Sequence, residues 1–481
     1  MEYIQGTPRE QLVLFSERLD GIVEENNPVR FIDEYIGKLD LKELEFKEPK
    51  IETGRPPYKP ELMIKIYVYG YLHGIRSSRR LEKECRKNIE LIWLCEQLAP
   101  DFKTVADFRK DNREGIKNIF KNFLEFCKKL KLIDYKLVAI DGTKMRAQNS
   151  INNIYKKKEM KKLKKKLDNR IKEYMEELDR NDEKEAVECD LTEEICEKIN
   201  KLKKSKIKLK EIKKIFKKNP ELDIYFGGDS DSRFQRDNGR INAGYNCQIG
   251  VDNKNKLIVA ADVTNESNDK KQLNNMKKKV CEGKNRKGKT AIVADTGYYS
   301  ENEVLKAVQD KRTEIYVPHP GDVKRNVKEK VKYTIDDFKY DKAQKVFVCP
   351  EGKELQKRGK VIKHKGVKKS YYICNECKGC RKKKLCTTEP SRKRLLVSEQ
   401  IMKVIAFREK MNKESSKKVT RKRKELAEHP FGTLKHGLGY RHFMQKGKEN
   451  ACSEFTFMSF IYNLKRVLNI KPMKELIAAV N

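Results

Sequence analysis

YKLVAIDGTKM, residues 135–145, runs four apolar side chains (Leu137, Val138, Ala139 and Ile140) into an aspartate and then a glycine. A short apolar run of this kind reads as a buried strand, and Asp-Gly taken alone reads as a turn. The pattern returns in TAIVADTGYYS, residues 290–300, where Ile292, Val293 and Ala294 lead into Asp295 and Gly297 follows. If the two strands are neighbours, Asp141 and Asp295 meet at one edge of the sheet. Two carboxylates a few ångströms apart repel. A divalent cation removes that conflict, and Mg²⁺ is usually held by one or two carboxylates plus phosphate oxygens. Two such ions ~4 Å apart can activate a water or a 3′-hydroxyl and stabilise the leaving oxygen of a phosphodiester.

Around these runs INAGYNCQIGVD (241–252), KLIVAADVT (256–264) and EIYVPHP (314–320) read as further short strands. DKKQLNNMKKKV (269–280) and SENEVLKAVQ (300–309) read as helices between or after them. Three strands followed by alternating helix and strand predict an α/β core with a mixed, five-stranded sheet. Upstream, PELMIKIYVYGYLHG (60–74) reads as a buried helix ending at Gly70 or Gly74. TVADFRKDNREGIKNIFKNFLEFCKKL (104–130) reads as another, with Thr104 as its cap. GIRSSRRL (74–81) has the look of a helix-turn-helix junction, which makes Arg76, Arg79 and Arg80 candidate DNA contacts. Arg55 and Lys59, in the loop GRPPYKP, are phosphate-contact candidates. Between residues 154 and 218 a narrow apolar seam runs through Met160, Leu163, Leu167, Ile171, Tyr174 and Leu178. It resumes at Ile195, Ile199, Leu202, Leu209, Ile212 and Phe216 in an otherwise charged stretch, which predicts an antiparallel helical hairpin.

The chain of 481 residues carries 110 Lys and Arg against 72 Asp and Glu, a formal charge of +38. A charge of that size favours an anionic partner, with nucleic acid first and an anionic membrane surface second. No apolar run reaches the ~18 residues of a spanning helix. The N-terminus lacks the order of a signal peptide. A soluble, intracellular protein is expected. Of thirteen cysteines, Cys349, Cys374, Cys377, Cys380 and Cys386 are clustered. In a reducing compartment C-x2-C-x2-C spacing favours structural Zn²⁺ held by four of the five, in a zinc-ribbon-like insert, with an iron–sulfur cluster as the alternative.

A third carboxylate is sought in RKRKELAEHPFGTLKHGLG, residues 421–439. Glu428 and Lys435 lie two helical turns apart on one face, Glu425 competes, and Pro430 kinks or starts the helix. Lys144, Tyr298 and Arg233, the last in the polar loop with Asp229 and Asp231, are candidates for positioning DNA. An aromatic such as Tyr298 can stack on a base.

With VAIDGTKMRAQNS, VADTGYYS and AEHPFGTLKHGLGYRHF in view, the chain resembles the DDE transposases of bacterial insertion sequences. Within them it is closest to the IS-four-like superfamily and its group numbered eleven-eighty-two. The resemblance implies a ribonuclease H-like, retroviral-integrase-like core with Asp141, Asp295 and Glu428 as a triad binding two Mg²⁺ or Mn²⁺ ions. It makes Glu428 preferable to Glu425 and places Lys435 at the end of the superfamily's Tyr-Arg-Glu-Lys signature. Arg421 stands where that signature has Tyr, and Lys424 where it has Arg. The implied function is cleavage at the element's terminal inverted repeats and strand transfer into target DNA by a homodimer on DNA. The alternatives are a non-catalytic basic DNA-binding protein with a structural zinc site, and a ribonuclease H-like nuclease without strand transfer. The expected divisions are a helical DNA-binding and dimerisation region (1–130), the core (131–153 and 219–320), the hairpin insert (154–218), the Cys-rich insert (321–398) and the C-terminal helical part of the core (399–481).

Overall fold

The computed structural model describes residues 19–47, 56–182, 189–237, 239–283, 288–320, 333, 335–364, 367–390 and 392–481. Six helices come first: α1 (Pro28–Gly37), α2 (Pro60–Leu72), α3 (Ser78–Cys85), α4 (Ile89–Leu94), α5 (Phe102–Asp111) and α6 (Arg113–Lys129). Strands β1 (Leu137–Arg146) and β2 (Ile154–Lys156) follow. The long helices α7 (Met160–Asp182) and α8 (Cys189–Lys218) come next, then β3 (Ile224–Phe226), β4 (Arg233–Asp237), β5 (Arg240–Asp252) and β6 (Ile258–Thr264). The run α9 (Leu273–Glu282), β7 (Thr290–Val293), α10 (Glu301–Val308) and β8 (Thr313–Tyr316) closes the main sheet.

That sheet has six strands in the order β4-β5-β1-β7-β8, with β6 also paired to β5. β1 runs antiparallel to β5 and parallel to β7, so the sheet is mixed as expected. The sixth strand is β4, whose sequence RFQRD is too polar to show an apolar alternation. β1 also runs further than the sequence suggests. Asp141 and Gly142 do not turn; they pair in mid-strand with Ile249 and Gln248 of β5. A Cβ on Gly142 would come within 2.4 Å of Gln248 Nε2 and 2.9 Å of Asp269 Oδ1, so any other residue there would push this amide–carboxylate pair aside.

Side chains of β1 alternate faces. Val138 and Ile140 enter the main core, while Leu137 and Ala139 pack with Val293 and Leu426 in a separate cluster. Leu426 lies on α13 (Glu414–Gly432), so that helix crosses the face on which Asp141 also lies. On the other face lies α14 (Lys448–Ile470), buried almost all round. Phe460 of α14 meets Phe123 of α6 edge-on at 5.1 Å. Asn463 closes the backbone of β6, accepting from Ile258 N and donating to Ile258 O, both at 2.8 Å. A strand edge under a helix needs such a partner, since buried backbone groups are almost always paired.

The N-terminal helices share one hydrophobic core with the sheet and α14. α2 is buried over Leu62–Tyr71 and stops at Leu72. Asp101, not Thr104, caps α5: its carboxylate accepts from Lys103 N and Thr104 N, and Thr104 donates its hydroxyl to the same group. α7 and α8 form the expected hairpin, clasped at its base by the β2–β3 ladder and by Met160, Leu209, Ile212 and Phe216.

The Cys-rich stretch is more than a ribbon. β9 (Lys339–Asp341), β10 (Val346–Val348), β11 (Glu354–His364), β12 (Val367–Cys374) and β13 (Lys393–Ser398) form a five-stranded antiparallel sheet with its own small core. A one-turn α11 (Lys383–Cys386) lies between β12 and β13. The sequence hid the longest of these strands because β11, ELQKRGKVIKH, is exposed along most of its length. α12 (Ile401–Asn412) leads into α13. Pro430 lies inside α13, and a π-helical turn over Thr433–Gly437 follows it. α15 (Met473–Val480) ends the chain as described. No helix among the described residues is long and apolar enough to cross a membrane.

Candidate active site and basic cleft

Parallel pairing sets Leu137 against Ala291 and Ala139 against Val293. The same offset carried two residues on brings Asp141 level with Asp295. β7 has ended by then, and Asp295 caps a single 3₁₀ turn, its Oδ1 accepting from Gly297 N at 2.8 Å. Asp141 is buried enough that desolvation lifts its carboxyl to about 6, against the pull of Arg423 and with Asp295 and Asp269 adding to the rise. Arg423 of α13 donates Nη1 to Asp141 Oδ2 at 2.9 Å, with side chains only 15 % and 18 % exposed. An arginine thus neutralises the first aspartate.

Asp269 was not anticipated by the sequence. It accepts from Asn246 Nδ2 and Gln248 Nε2, both at 2.7 Å, and stands 3.8 Å from Lys144 Nζ. Asn246 and Gln248 are fully buried on β5, so two amides at positions i and i+2 of an apolar strand were the available signal. Tyr298 donates its hydroxyl to Gln248 Oε1 and is buried; desolvation holds the phenol well above its ordinary range. The expectation that Tyr298 stacks on a base is therefore corrected. The 3₁₀ turn behind Asp295 points its ring into the core.

Glu428 lies on α13 and is exposed, without a hydrogen-bond or ion-pair partner among the described residues. Asp141, Asp295 and Glu428 are not drawn into one ligand set: among the described residues no three His, Cys, Asp or Glu side chains are gathered closely enough to hold a metal ion. Lys435, on the π-helical turn, reaches Asp237 of β4 at 3.3 Å. Lys144, Arg146, Arg240, Lys435, His436 and Arg441 line one open cleft with Asp237 as its acidic member. Burial lowers the Lys144 ammonium from its usual range despite Asp269. Four of these six cationic or titratable groups were missed in sequence because they come from the far ends of β1 and β5 and the segment after α13.

The other DNA-contact candidates separate. Arg76 is buried, donates to the His442 carbonyl at 2.6 Å, stands 3.6 Å from Glu454 and stacks over Tyr440. It braces the interior, and its expected surface role is corrected. Arg79 is exposed over the Phe102 ring, Arg80 pairs with Glu84 at 3.6 Å, and Lys59 is exposed. Arg55 lies outside the described residues. Arg233 donates to the Ser230 and Ser232 carbonyls and lies over Phe226. In the same loop Asp229 is buried against the Tyr245 hydroxyl at 2.7 Å, and Asp231 accepts from Lys448 N at 3.0 Å. That loop ties β4 to α14.

Cys349, Cys374, Cys377, Cys380 and Cys386 line a single cavity in the small sheet, and Cys349 Sγ accepts from Lys353 N at 3.3 Å. The sulfurs converge without reaching ligand spacing.

Two segments match family models. Residues 17–111 match one described as Transposase domain (DUF772), and residues 348–468 match one described as Transposase DDE domain. Neither spans half of the chain. The second contains Glu428 and Lys435, while Asp141 and Asp295 lie between the two segments. No curated protein matches. Among solved structures the chain is similar to one titled as a cryo-EM structure of a piggyBac transposase synaptic complex with hairpin DNA. That match has 10 % identity over 95 % of this chain and 79 % of that one, at a TM-score of 0.32, too low to establish a common fold.

Proposed function

We propose that this chain is a DDE transposase, of the IS-four-like eleven-eighty-two kind, acting on DNA at the bacterial nucleoid. It would cut at the ends of its element and join the freed 3′-hydroxyls to target DNA. The observation that carries this reading is the register of β1 and β7, which, carried two residues past its last pair, sets Asp141 level with Asp295, with Lys144 further along β1 lining a basic cleft. Transposase-type segments that precede and follow the sheet in sequence support it. The strand order β6-β5-β1-β7-β8, with only β7 and β8 parallel to β1, is compatible with a ribonuclease H-like core.

Two hard oxygen donors in register suit Mg²⁺ or Mn²⁺, with phosphate oxygens completing the shell. Glu428, the unpartnered carboxylate of α13, is assigned as the third ligand. Divalent ions bound there would supply activation of a water or 3′-hydroxyl and neutralise the leaving oxygen. The chain's own side chains do the rest. Lys144 and Lys435 hold the phosphates flanking the scissile bond, and Arg423 balances Asp141 until the site is loaded. The Gln248–Asp269–Asn246 network fixes the floor under Gly142. A homodimer would hold the two ends together. The convergent thiols suit a structural Zn²⁺ that draws four of the five cysteines into a tetrahedron.

The test is an in vitro assay on the element's own end sequences with Mg²⁺. The wild type should release 3′-hydroxyl ends and joined products. Asp141→Asn and Asp295→Asn should lose at least a hundred-fold in cleavage while DNA affinity stays within about three-fold. Cleavage retained in Asp295→Asn removes that residue from the site. Cleavage without joining makes the chain a nuclease instead.

A further inference from the structure

The helical arm inserted after β1 is polarised in charge. Its inner half, residues 156–170 and 203–218, carries eighteen Lys and Arg against three Asp and Glu. Its outer half, residues 171–182 and 189–202, carries four against nine. The pairing confirms which halves lie together: Lys206 of α8 meets Asp168 of α7 at 2.5 Å, and Met160 packs with Leu209, Ile212 and Phe216. Composition alone would spread lysines along both helices. Here they crowd the root.

The ion pairs are polarised too. In the outer half Lys172, Lys198 and Lys201 each meet a glutamate one turn away, at 3.5, 3.0 and 2.8 Å. In the inner half only Lys156, with Glu159, and Lys206, with Asp168, meet a carboxylate among the described residues. Lys161, Lys162, Lys164, Lys165 and Lys166 of α7 and Lys203, Lys204, Lys210, Lys213 and Lys214 of α8 are exposed and form no ion pair of their own among the described residues; Lys164 and Lys210 only share the field of Asp168 with Lys206. So many like charges at close range raise the energy of the free protein unless an anion meets them.

The root is also held in place. The β2–β3 ladder, the Lys157 N to Asp223 O bond and Asn149 Oδ1 accepting from Gly228 N fix it to the end of β1. Only residues 147–153 separate Arg146, which lines the basic cleft, from β2. The inner half of α8 spans ~24 Å at 1.5 Å per residue, a length matching about seven base pairs of duplex.

We infer that the root of this arm is a docking surface for the phosphate backbone of duplex DNA flanking the cleavage site. It holds the DNA beside the cleft without reading sequence, and the acidic outer half of the arm stays clear of the phosphates. The inference rests on the transposase reading and adds to it a surface that the catalytic residues do not touch. A membrane surface fits less well. Ile207 and Met175, the exposed large apolar residues among those described on the two helices, lie in different halves of the arm and form no insertion face.

The test uses the full-length protein and a duplex of about 30 base pairs. One variant combines Lys164→Glu, Lys165→Glu, Lys210→Glu and Lys214→Glu, and a second carries Gln at the same four positions. Anisotropy titrations over a salt series should show affinity falling at least ten-fold in the Glu variant and less in the Gln variant. The slope of log affinity against log salt should flatten by about three to four in both, since each lost phosphate contact removes ~0.9. Glu173→Gln and Glu176→Gln together, in the outer half, should leave both quantities unchanged. A photocrosslinking residue in place of Ile207 should label flanking DNA in the otherwise unaltered protein, which guards against misfolding of the charge variants. Wild-type protein without affinity for duplex overturns the transposase reading itself. Wild-type affinity and slope in both Lys variants, with no crosslink, overturns the arm alone. Variant-sensitive binding to phosphatidylserine vesicles in place of DNA overturns it in favour of a membrane surface.

Discussion

Asp141 costs the fold something: desolvation lifts its carboxyl to about 6 even with the Arg423 guanidinium against it. Asp252, opposite Val138 in the same strand pair, has a comparable rise to about 6 from burial, in spite of accepting from Tyr135 N and Lys254 N. It lies outside the cleft, so it isolates the stability effect. A carboxyl raised in the folded state binds its proton more tightly there than in the unfolded chain. Its contribution is therefore fully present below the unfolded value, near 4, and lost as pH rises through 6. The stability difference between wild type and Asp252→Asn should shift in the wild type's favour by about 2 kcal/mol between pH 7.5 and pH 4. Denaturant melts across that range check it, and a flat difference contradicts it.

At the scale of elements, the helix that carries Glu428 is the most informative. Pro430 removes one backbone donor, and the π-helical turn after it carries Lys435 and His436 toward the cleft. A straight-helix count of seven residues places Glu428 and Lys435 on one face; in the structure Lys435 instead belongs to a π-helical turn and meets Asp237 of β4. π turns of this kind are common at functional sites. The Cys-rich sheet is a second element with its own core. Its thiols point into one cavity, so purified protein should contain about one zinc per chain by elemental analysis. Cys377→Ser with Cys380→Ser should release the metal and lower the melting temperature of this sheet. Metal-free protein with an unchanged melt contradicts the zinc assignment.

Across the whole molecule, segments distant in sequence close around α14. Glu454 is buried and accepts from Met444 N, Gln445 N and the Tyr71 hydroxyl, with Arg76 at 3.6 Å. This ties the N-terminal helices to the last third of the chain. Removing one partner of a buried pair strands the other charge, a cost of about 3 to 5 kcal/mol. Glu454→Ala should lose that much in denaturant melts, and Arg76→Met with Glu454→Met should recover most of it. A near-neutral Glu454→Ala would mean that the N-terminal helices are held by apolar packing alone.

The apolar strands of the main sheet, all but the polar β4, and the hairpin seam were legible in sequence because apolar periodicity is a local signal, and Asp141 and Asp295 stood out as candidates because each follows such a run. Sequence also gave the clustered cysteines but not the exposed, lysine-rich strand beside them, since an exposed strand leaves no apolar pattern. Where Arg76 and Tyr298 point, that Asp269 and Arg423 meet the site, and that six cationic or titratable side chains share one cleft were decided only by tertiary structure. Those facts depend on which face of a helix or strand is turned toward which neighbour. Packing fixes that choice across hundreds of residues, and no short stretch of the chain contains it.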